Sequence, residues 1–201
     1  MGSSLVGGWL EVIAGCMYSG KSEEMLRRVR RAQVKYRVEV FKPDLDTRYG
    51  INKVASHAKA ETPCFPVPQN DPEWILKSWV KNPERGATEV SDWTWDAPIV
   101  ALDEVQFFNP SIVSVCRTLV RNNIRVIAAG LDLDFRGRPF GPMPDLLVLA
   151  DEVHKLTATC TTCGGQATRS QRLTPSQELV QLGAKDAYEA RCHLHHTFTE
   201  D

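Results

Sequence analysis

The chain has 201 residues, of which 42% are hydrophobic and 24% charged, and its formal net charge is −1. That is enough for one domain with a real core plus a small appendage, and it argues against a cationic binder of nucleic acid or of a membrane surface. No run of about 18 apolar residues occurs and no basic flank leads into an apolar stretch, so neither a transmembrane helix nor a secretory leader is expected, and a cytoplasmic address is the default.

Residues 9–14 (Trp-Leu-Glu-Val-Ile-Ala) read as a first strand. Next comes Gly15-Cys16-Met17-Tyr18-Ser19-Gly20-Lys21-Ser22, which matches G-x-x-x-x-G-K-[ST]. A helix then runs from about Ser22 to Tyr36, with Glu23 and Glu24 in its first turn. The motif thus lies between strand and helix, the context it needs. Its glycines let backbone N–H groups converge on phosphate oxygens, and the helix N-terminus adds a favourable dipole. Lys21 would reach the β- and γ-phosphates of ATP, and Ser22 would ligate Mg²⁺. Arg27, Arg28, Arg30 and Arg31 crowd the helix and fit a solvated or subunit-interface face better than a nucleic-acid surface.

Residues 37–42 alternate as a second strand, and residues 43–70, rich in Pro, Asp and Asn, read as a long loop. A short helix is expected over 71–80, a buried strand over 98–102, a helix over 110–122 and another buried strand over 125–129. The alternation implies an α/β fold of the P-loop NTPase type, a mostly parallel sheet flanked by helices, with ligands at the carboxyl ends of its strands. At one such end stand Asp103 and Glu104. Asp103 would hold Mg²⁺ directly or through water. Strand alternation would turn Glu104 away, towards the acceptor, as a general base.

After about Thr159 the pattern breaks into short, turn-rich pieces, which sets a domain boundary near 158, with units of 9–158 and 159–201. The six cysteines do not form a disulfide framework: Cys16 lies in the phosphate loop, and Cys64 and Cys116 are isolated. Cys160-x-x-Cys163 and Cys192-x-x-His195, with 28 residues between the pairs, have the spacing of a closed tetrahedral Zn²⁺ site of structural type. His193 and His196 compete for the fourth position, but His195 keeps the two-residue spacing.

Several segments together resemble the type II thymidine kinases, from about Trp9 to His195. They are Ser19-Gly-Lys-Ser22, Asp46-Thr47-Arg48-Tyr49, Ser56-His57, Asp103-Glu-Val-Gln-Phe107-Phe, Leu131-Asp-Leu-Asp-Phe135-Arg-Gly, Lys155-Leu-Thr-Ala and Tyr188-Glu-Ala-Arg-Cys192. The resemblance implies a P-loop deoxynucleoside kinase that phosphorylates thymidine, with deoxyuridine as a possible second substrate, and that uses ATP, Mg²⁺ and structural Zn²⁺. It implies a homotetramer inhibited by dTTP. By it, Glu104 matches the proton acceptor for the 5′-hydroxyl. Asp46, Thr47 and Arg48 match residues near the phosphates and metal, with Val105 and Gln106 beside them. Phe107, Phe135 and Tyr188 match aromatic positions around base and sugar, and Leu179, Val180, Gln181, Leu182 and Gly183 match a loop that closes over the base. The zinc site resembles the anchor of that loop.

The chain departs from the family pattern at Cys16, where Pro is more usual, at Tyr18, where Phe is, and at His195, which replaces a common Cys. Residues 61–97, with Trp74, Trp79, Trp93 and Trp95, form a longer spacer than usual and have no assigned role. An ATP-driven zinc-ribbon protein of nucleic acids ranks lower, since Arg169, Arg172, Lys185 and Arg191 are nearly balanced by Glu178, Asp186 and Glu189. A GTPase-like switch ranks last, because no Asn-Lys-x-Asp sequence is present.

Overall fold

The computed structural model describes residues 8–47, 50–55, 60–80, 99–175, 178–179 and 187–197, the side chains of 78–80 excepted. Its centre is a six-stranded parallel sheet built from β1 (Trp9–Gly15), β2 (Val38–Pro43), β5 (Phe65–Val67), β6 (Ile99–Leu102), β7 (Arg125–Gly130) and β8 (Glu152–Leu156). The order across the sheet is β5-β2-β6-β7-β1-β8. The inner strands are near-continuous apolar runs because both faces are covered. Leu10, Val12, Val100, Leu102, Val126 and Ala128 pack with α3 (Ile112–Arg121), α4 (Met143–Leu149) and Ile75 of α2 (Trp74–Val80). On the other face Ile13, Ile99, Ala101, Ile127 and Ala129 meet Met25, Leu26, Val29 and Ala32 of α1 (Lys21–Gln33).

Polar groups buried beside α1 are paired. Glu11 of β1, 2% exposed, accepts from Arg28 of α1 and from Arg125 of β7. Arg28 also reaches Glu24, at 2.8 Å, and Glu152. At the far end of α3, Asn123 (φ 61) makes the left-handed turn after the helix, and the Ile124 N–H closes onto the Leu119 carbonyl at 3.1 Å. The buried Ile124 and Leu119 side chains complete that stop.

Two antiparallel ladders follow the sheet: β9 (Ala158–Thr159) with β10 (Gln166–Ala167), and β11 (Arg169–Arg172) with β12 (Tyr188–Arg191). The expected long loop 43–70 is more ordered than its composition suggests. It contains a hairpin of β3 (Lys53–Ala55) and β4 (Glu61–Pro63), and then β5, which joins the sheet edge beside β2. Three-residue strands are too short to show a period. The stretch 130–157, where periodicity assigns nothing, holds α4 and β8; α4 is seven residues long, and β8 alternates charges on an edge. Among the described residues no helix is long and apolar enough to cross a membrane. Trp74 is half-buried against the core, while Trp93 and Trp95 lie outside the described residues.

Candidate active site and metal centre

The phosphate loop leaves the carboxyl end of β1. Gly15 (φ 147) and Gly20 (φ 86) take conformations that L side chains rarely adopt, and a Cβ on Gly15 would sit 2.4 Å from the Leu156 carbonyl oxygen. Tyr18 shares the left-handed region at φ 65, a strained position for a bulky residue. The Lys21 ammonium curls over the loop and donates to the Cys16 carbonyl at 2.8 Å. Burial pushes its pKa down, against the pull of Glu104, Cys16 and Asp103. The buried Ser19 hydroxyl oxygen has no hydrogen-bond partner among the described residues, a vacancy that a phosphate oxygen would satisfy.

Asp103 and Glu104 follow β6, two strands from the phosphate loop, with β7 between. The Ser22 hydroxyl lies 3.4 Å from Asp103 Oδ1, so the loop and β6 present one oxygen each to a common point. A hydroxyl paired with a carboxylate at a phosphate loop is an oxygen donor set that suits magnesium. Strand alternation does not direct Glu104, because the strand has already ended. Glu104 adopts φ 52 and opens a 3₁₀ turn over Val105–Phe107. Its N–H donates to Asp103 Oδ1 at 3.0 Å. A left-handed glutamate costs about 1–2 kcal/mol, and such strain concentrates at functional sites.

Gln106, 2% exposed, holds that glutamate. Its amide N–H donates to Glu104 Oε2, and its amide oxygen accepts from the Leu131 N–H at 3.0 Å. The Gln106 side chain thus bridges Glu104 and the loop after β7, and Val105 is fully buried in the core. Leu131 begins the loop that carries Phe135. Asp134 shapes that loop, its Oδ1 accepting the N–H groups of Arg136 at 2.8 Å and Arg138 at 2.9 Å, with Gly137 at φ 76. The Lys155 ammonium lies 2.8 Å from buried Asp132 and ties the same loop to β8.

The structure brings Phe135 and Tyr188 together through Arg172, which lies 3.6 Å from the Phe135 ring centroid and donates to the Tyr188 hydroxyl at 3.0 Å. Phe107, beside Glu104, instead packs edge-on against Phe140, with centroids 5.7 Å apart. Leu179 is half-exposed, and its carbonyl accepts from Arg172. Val180, Gln181, Leu182 and Gly183 lie outside the described residues, as do Arg48, Tyr49, Ser56 and His57. Asp46 is buried and Thr47 is exposed. Lys42, fully buried, pairs with Asp46 at 3.6 Å and donates to the carbonyls of Gly50 and Lys53, both at 2.7 Å, which pins the start of that segment.

The side-chain donors of Cys160, Cys163, Cys192 and His195 lie within 4.8 Å of one another. Cys163 and Cys192 sulfurs are 3.9 Å apart, and His195 Nδ1 is 3.1 Å from Cys192 Sγ and 4.0 Å from Cys160 Sγ. Tetrahedral zinc with Zn–S near 2.3 Å implies sulfur separations of about 3.8 Å, so the set fits the ion. Of the three candidate histidines, His195 is the one gathered with the three cysteines, while His196 Nε2 lies 2.9 Å from the Phe135 carbonyl and His193 is exposed. Gly164 (φ 73) donates to the Cys160 carbonyl at 2.9 Å and makes the first knuckle. Desolvation raises the Cys160 thiol, but N–H groups of Cys192, Cys163 and Thr162 bring it down to about 6. Burial pushes Cys64 up to about 11 and Cys116 up to about 12, as suits inert core thiols.

Phosphate loop and metal centre touch directly. Cys16 Sγ lies 3.4 Å from the Ala167 carbonyl, the Met17 N–H donates to Ser170 Oγ at 3.0 Å, and the Tyr18 hydroxyl donates to the Tyr188 carbonyl at 3.0 Å. Cys16 also packs in one cluster with Cys160, Ala167 and Ala190. In the sequence, residues 16 and 18 stand at variable positions of the G-x-x-x-x-G-K-[ST] pattern, and Ser170 and Arg172 belong to no motif. Their tasks depend on what faces them across the fold, and no local pattern carries that information.

Comparison with known proteins agrees with this geometry. A family model described as "Thymidine kinase" matches residues 8–196. A thymidine kinase of Coprothermobacter proteolyticus is 48% identical over 196 residues, covering 94% of this chain and 90% of that protein. A thymidine kinase of Deinococcus deserti is 47% identical over 200 residues, covering 96% of each.

Proposed function

This chain belongs to the thymidine kinase family, and on that footing we propose that it transfers the γ-phosphoryl group of ATP to the 5′-hydroxyl of thymidine, with deoxyuridine as a second acceptor. The observation that carries the reading is the meeting of three groups at the carboxyl ends of β1 and β6: Lys21 on its loop, Ser22 against Asp103, and Glu104 held by Gln106.

Lys21 leaves the Cys16 carbonyl for the β- and γ-phosphates, and Ser19 and the loop N–H groups take the remaining oxygens. Ser22 and Asp103 would hold magnesium, which would supply positive charge against the phosphate oxygens. Glu104 accepts the 5′-hydroxyl proton as the nucleoside oxygen bonds to the γ-phosphorus and the bond to the β–γ bridging oxygen breaks, leaving ADP. Arg48 adds positive charge beside the transferring group, and Asp46 and Thr47 lie on the same segment. Phe107, Phe135 and Tyr188 surround sugar and base. Residues 179–183 close over the base and recognise it with backbone groups, which excludes water from the transfer.

In the same reading, residues 9–158 form the phosphoryl-transfer domain and 159–201 a lid unit stapled by zinc, which stiffens the knuckles and takes no part in the chemistry. The enzyme is a cytoplasmic homotetramer that makes dTMP for DNA synthesis by salvage, and dTTP competes at the acceptor site. Replacing the base tests the assignment. Glu104→Gln is expected to keep its fold and its affinity for an ATP analogue while thymidine phosphorylation falls by at least about 10²-fold. Unchanged turnover would overturn the assignment.

A further inference from the structure

Arg172 ends β11 directly opposite Tyr188 in the β11–β12 register, and it is 7% exposed. A buried guanidinium is costly unless its donors and its plane are occupied. Here they are. Nε donates to the Tyr188 hydroxyl at 3.0 Å, Nη2 to the Leu179 carbonyl at 3.2 Å, and Nη1 to the Glu178 carbonyl. The plane lies against Phe135, 3.6 Å from the ring centroid, in cation–π contact. A single side chain thus touches three separate pieces: the loop after β7, the strand β12, and the start of the segment that precedes residues 180–186.

We propose that Arg172 is the positioning residue of the nucleoside site, fixing Phe135, Tyr188 and the 178–179 backbone in one arrangement and thereby setting thymidine affinity. The inference rests on the nucleoside-kinase reading given above. Its selectivity follows from where the side chain points. Ser170 and Arg172 lie on the same buried face of β11, two residues apart, but Ser170 faces Met17 in the phosphate loop while Arg172 faces the aromatic pair. Loss of the guanidinium loosens the acceptor side and leaves the Ser170 link to the phosphate loop in place. Lysine cannot substitute, because an ammonium is a point charge without the plane that stacks or the fork that spans phenol and carbonyls.

The test is calorimetric binding of thymidine and, separately, of a non-hydrolysable ATP analogue to the zinc-loaded wild type and to Arg172→Met, Arg172→Lys and Tyr188→Phe. Losing one cation–π contact and several hydrogen bonds should weaken thymidine binding by about 30-fold in Arg172→Met. Arg172→Lys should recover less than about a third of that loss on a logarithmic scale. Tyr188→Phe should weaken binding by about fivefold, and the Arg172→Met/Tyr188→Phe pair should be no weaker than Arg172→Met alone, since the phenol acts through the guanidinium. ATP-analogue affinity should stay within about threefold throughout. Unchanged thymidine affinity in Arg172→Met, full recovery in Arg172→Lys, or equal weakening of both ligands would overturn the proposal. If Arg172→Met shows no cooperative melting, Arg172→Lys and Tyr188→Phe decide: selective loss of thymidine binding in both supports it, and wild-type affinity in both overturns it. A wild type that binds ATP analogue but no thymidine overturns the functional reading itself, and this inference with it.

Discussion

The Tyr18 hydroxyl donates to the Tyr188 carbonyl at 3.0 Å, joining the phosphate loop to β12. Phenylalanine at position 18 would keep the ring and lose the donor. Because the bond is part-buried and neutral, its loss should cost about 1 kcal/mol. Tyr18→Phe is therefore expected to raise the apparent KM for ATP by about fivefold with zinc content unchanged. Initial-rate kinetics at saturating thymidine would measure it, and an unaltered KM would show that the contact does not support the loop.

Metal removal should reach the ATP site as well as the C-terminal ladders. Three consecutive phosphate-loop residues contact the C-terminal ladders, and Cys16 shares a buried cluster with Cys160 of the candidate zinc site. Chelated protein is expected to lose at least about tenfold in affinity for a non-hydrolysable ATP analogue, and to recover it on adding zinc. Titration calorimetry with metal analysis before and after reconstitution would check this. Undiminished ATP-analogue binding by zinc-free, folded protein would mean that the metal centre does not support the phosphate loop.

Gln106 is a second lever on the chemistry. Its amide bridges Glu104 and the Leu131 N–H, so Gln106→Leu removes the donor that aims the carboxylate and leaves a buried N–H unpaired. We expect kcat to fall by about 10²-fold with KM for ATP little changed, the pattern of a misplaced catalytic group. Steady-state kinetics separates the two constants, and a change confined to KM for ATP would count against the orienting role.

Away from the site, Glu11 sits buried between Arg28 and Arg125. Removing one partner of a buried pair leaves an uncompensated charge, at a cost of about 3–5 kcal/mol. Glu11→Ala should lower the melting temperature by roughly 10 °C while the folded variant keeps wild-type KM values. Calorimetric melting would test it, and an unchanged transition would show that the cluster contributes no net stability.

The sequence was most legible where chemistry depends on close spacing. The glycines and Lys21-Ser22 of the phosphate loop, and the two short pairs Cys160/Cys163 and Cys192/His195, are local patterns, and the structure gathers the second set within 4.8 Å. Buried strands β1, β6 and β7 were equally readable, since burial on both faces forces near-continuous apolar runs, broken in β1 only by Glu11. Short elements escaped: β5 has three residues and borrows its stability from β2, and α4 has only seven. Glu104 was identified as a residue but not in its geometry, because a left-handed turn after the strand orients it, where alternation had been expected to. Arg172 looks ordinary in sequence, and Gln106 stands in a recognisable segment without its orienting task being visible there. Arg172 draws its importance from partners six to 37 positions away, and Gln106 from joining Glu104 to Leu131, 25 positions on, links made only by the fold.

The most direct test of the central claim is a coupled phosphorylation assay with Mg²⁺-ATP, run on the zinc-loaded enzyme with thymidine, deoxyuridine, deoxycytidine and deoxyadenosine, identifying each product. The account predicts dTMP as the main product, weaker turnover of deoxyuridine, and none of the other two. ATP hydrolysis without any nucleoside monophosphate, above all if DNA stimulates it, would contradict it.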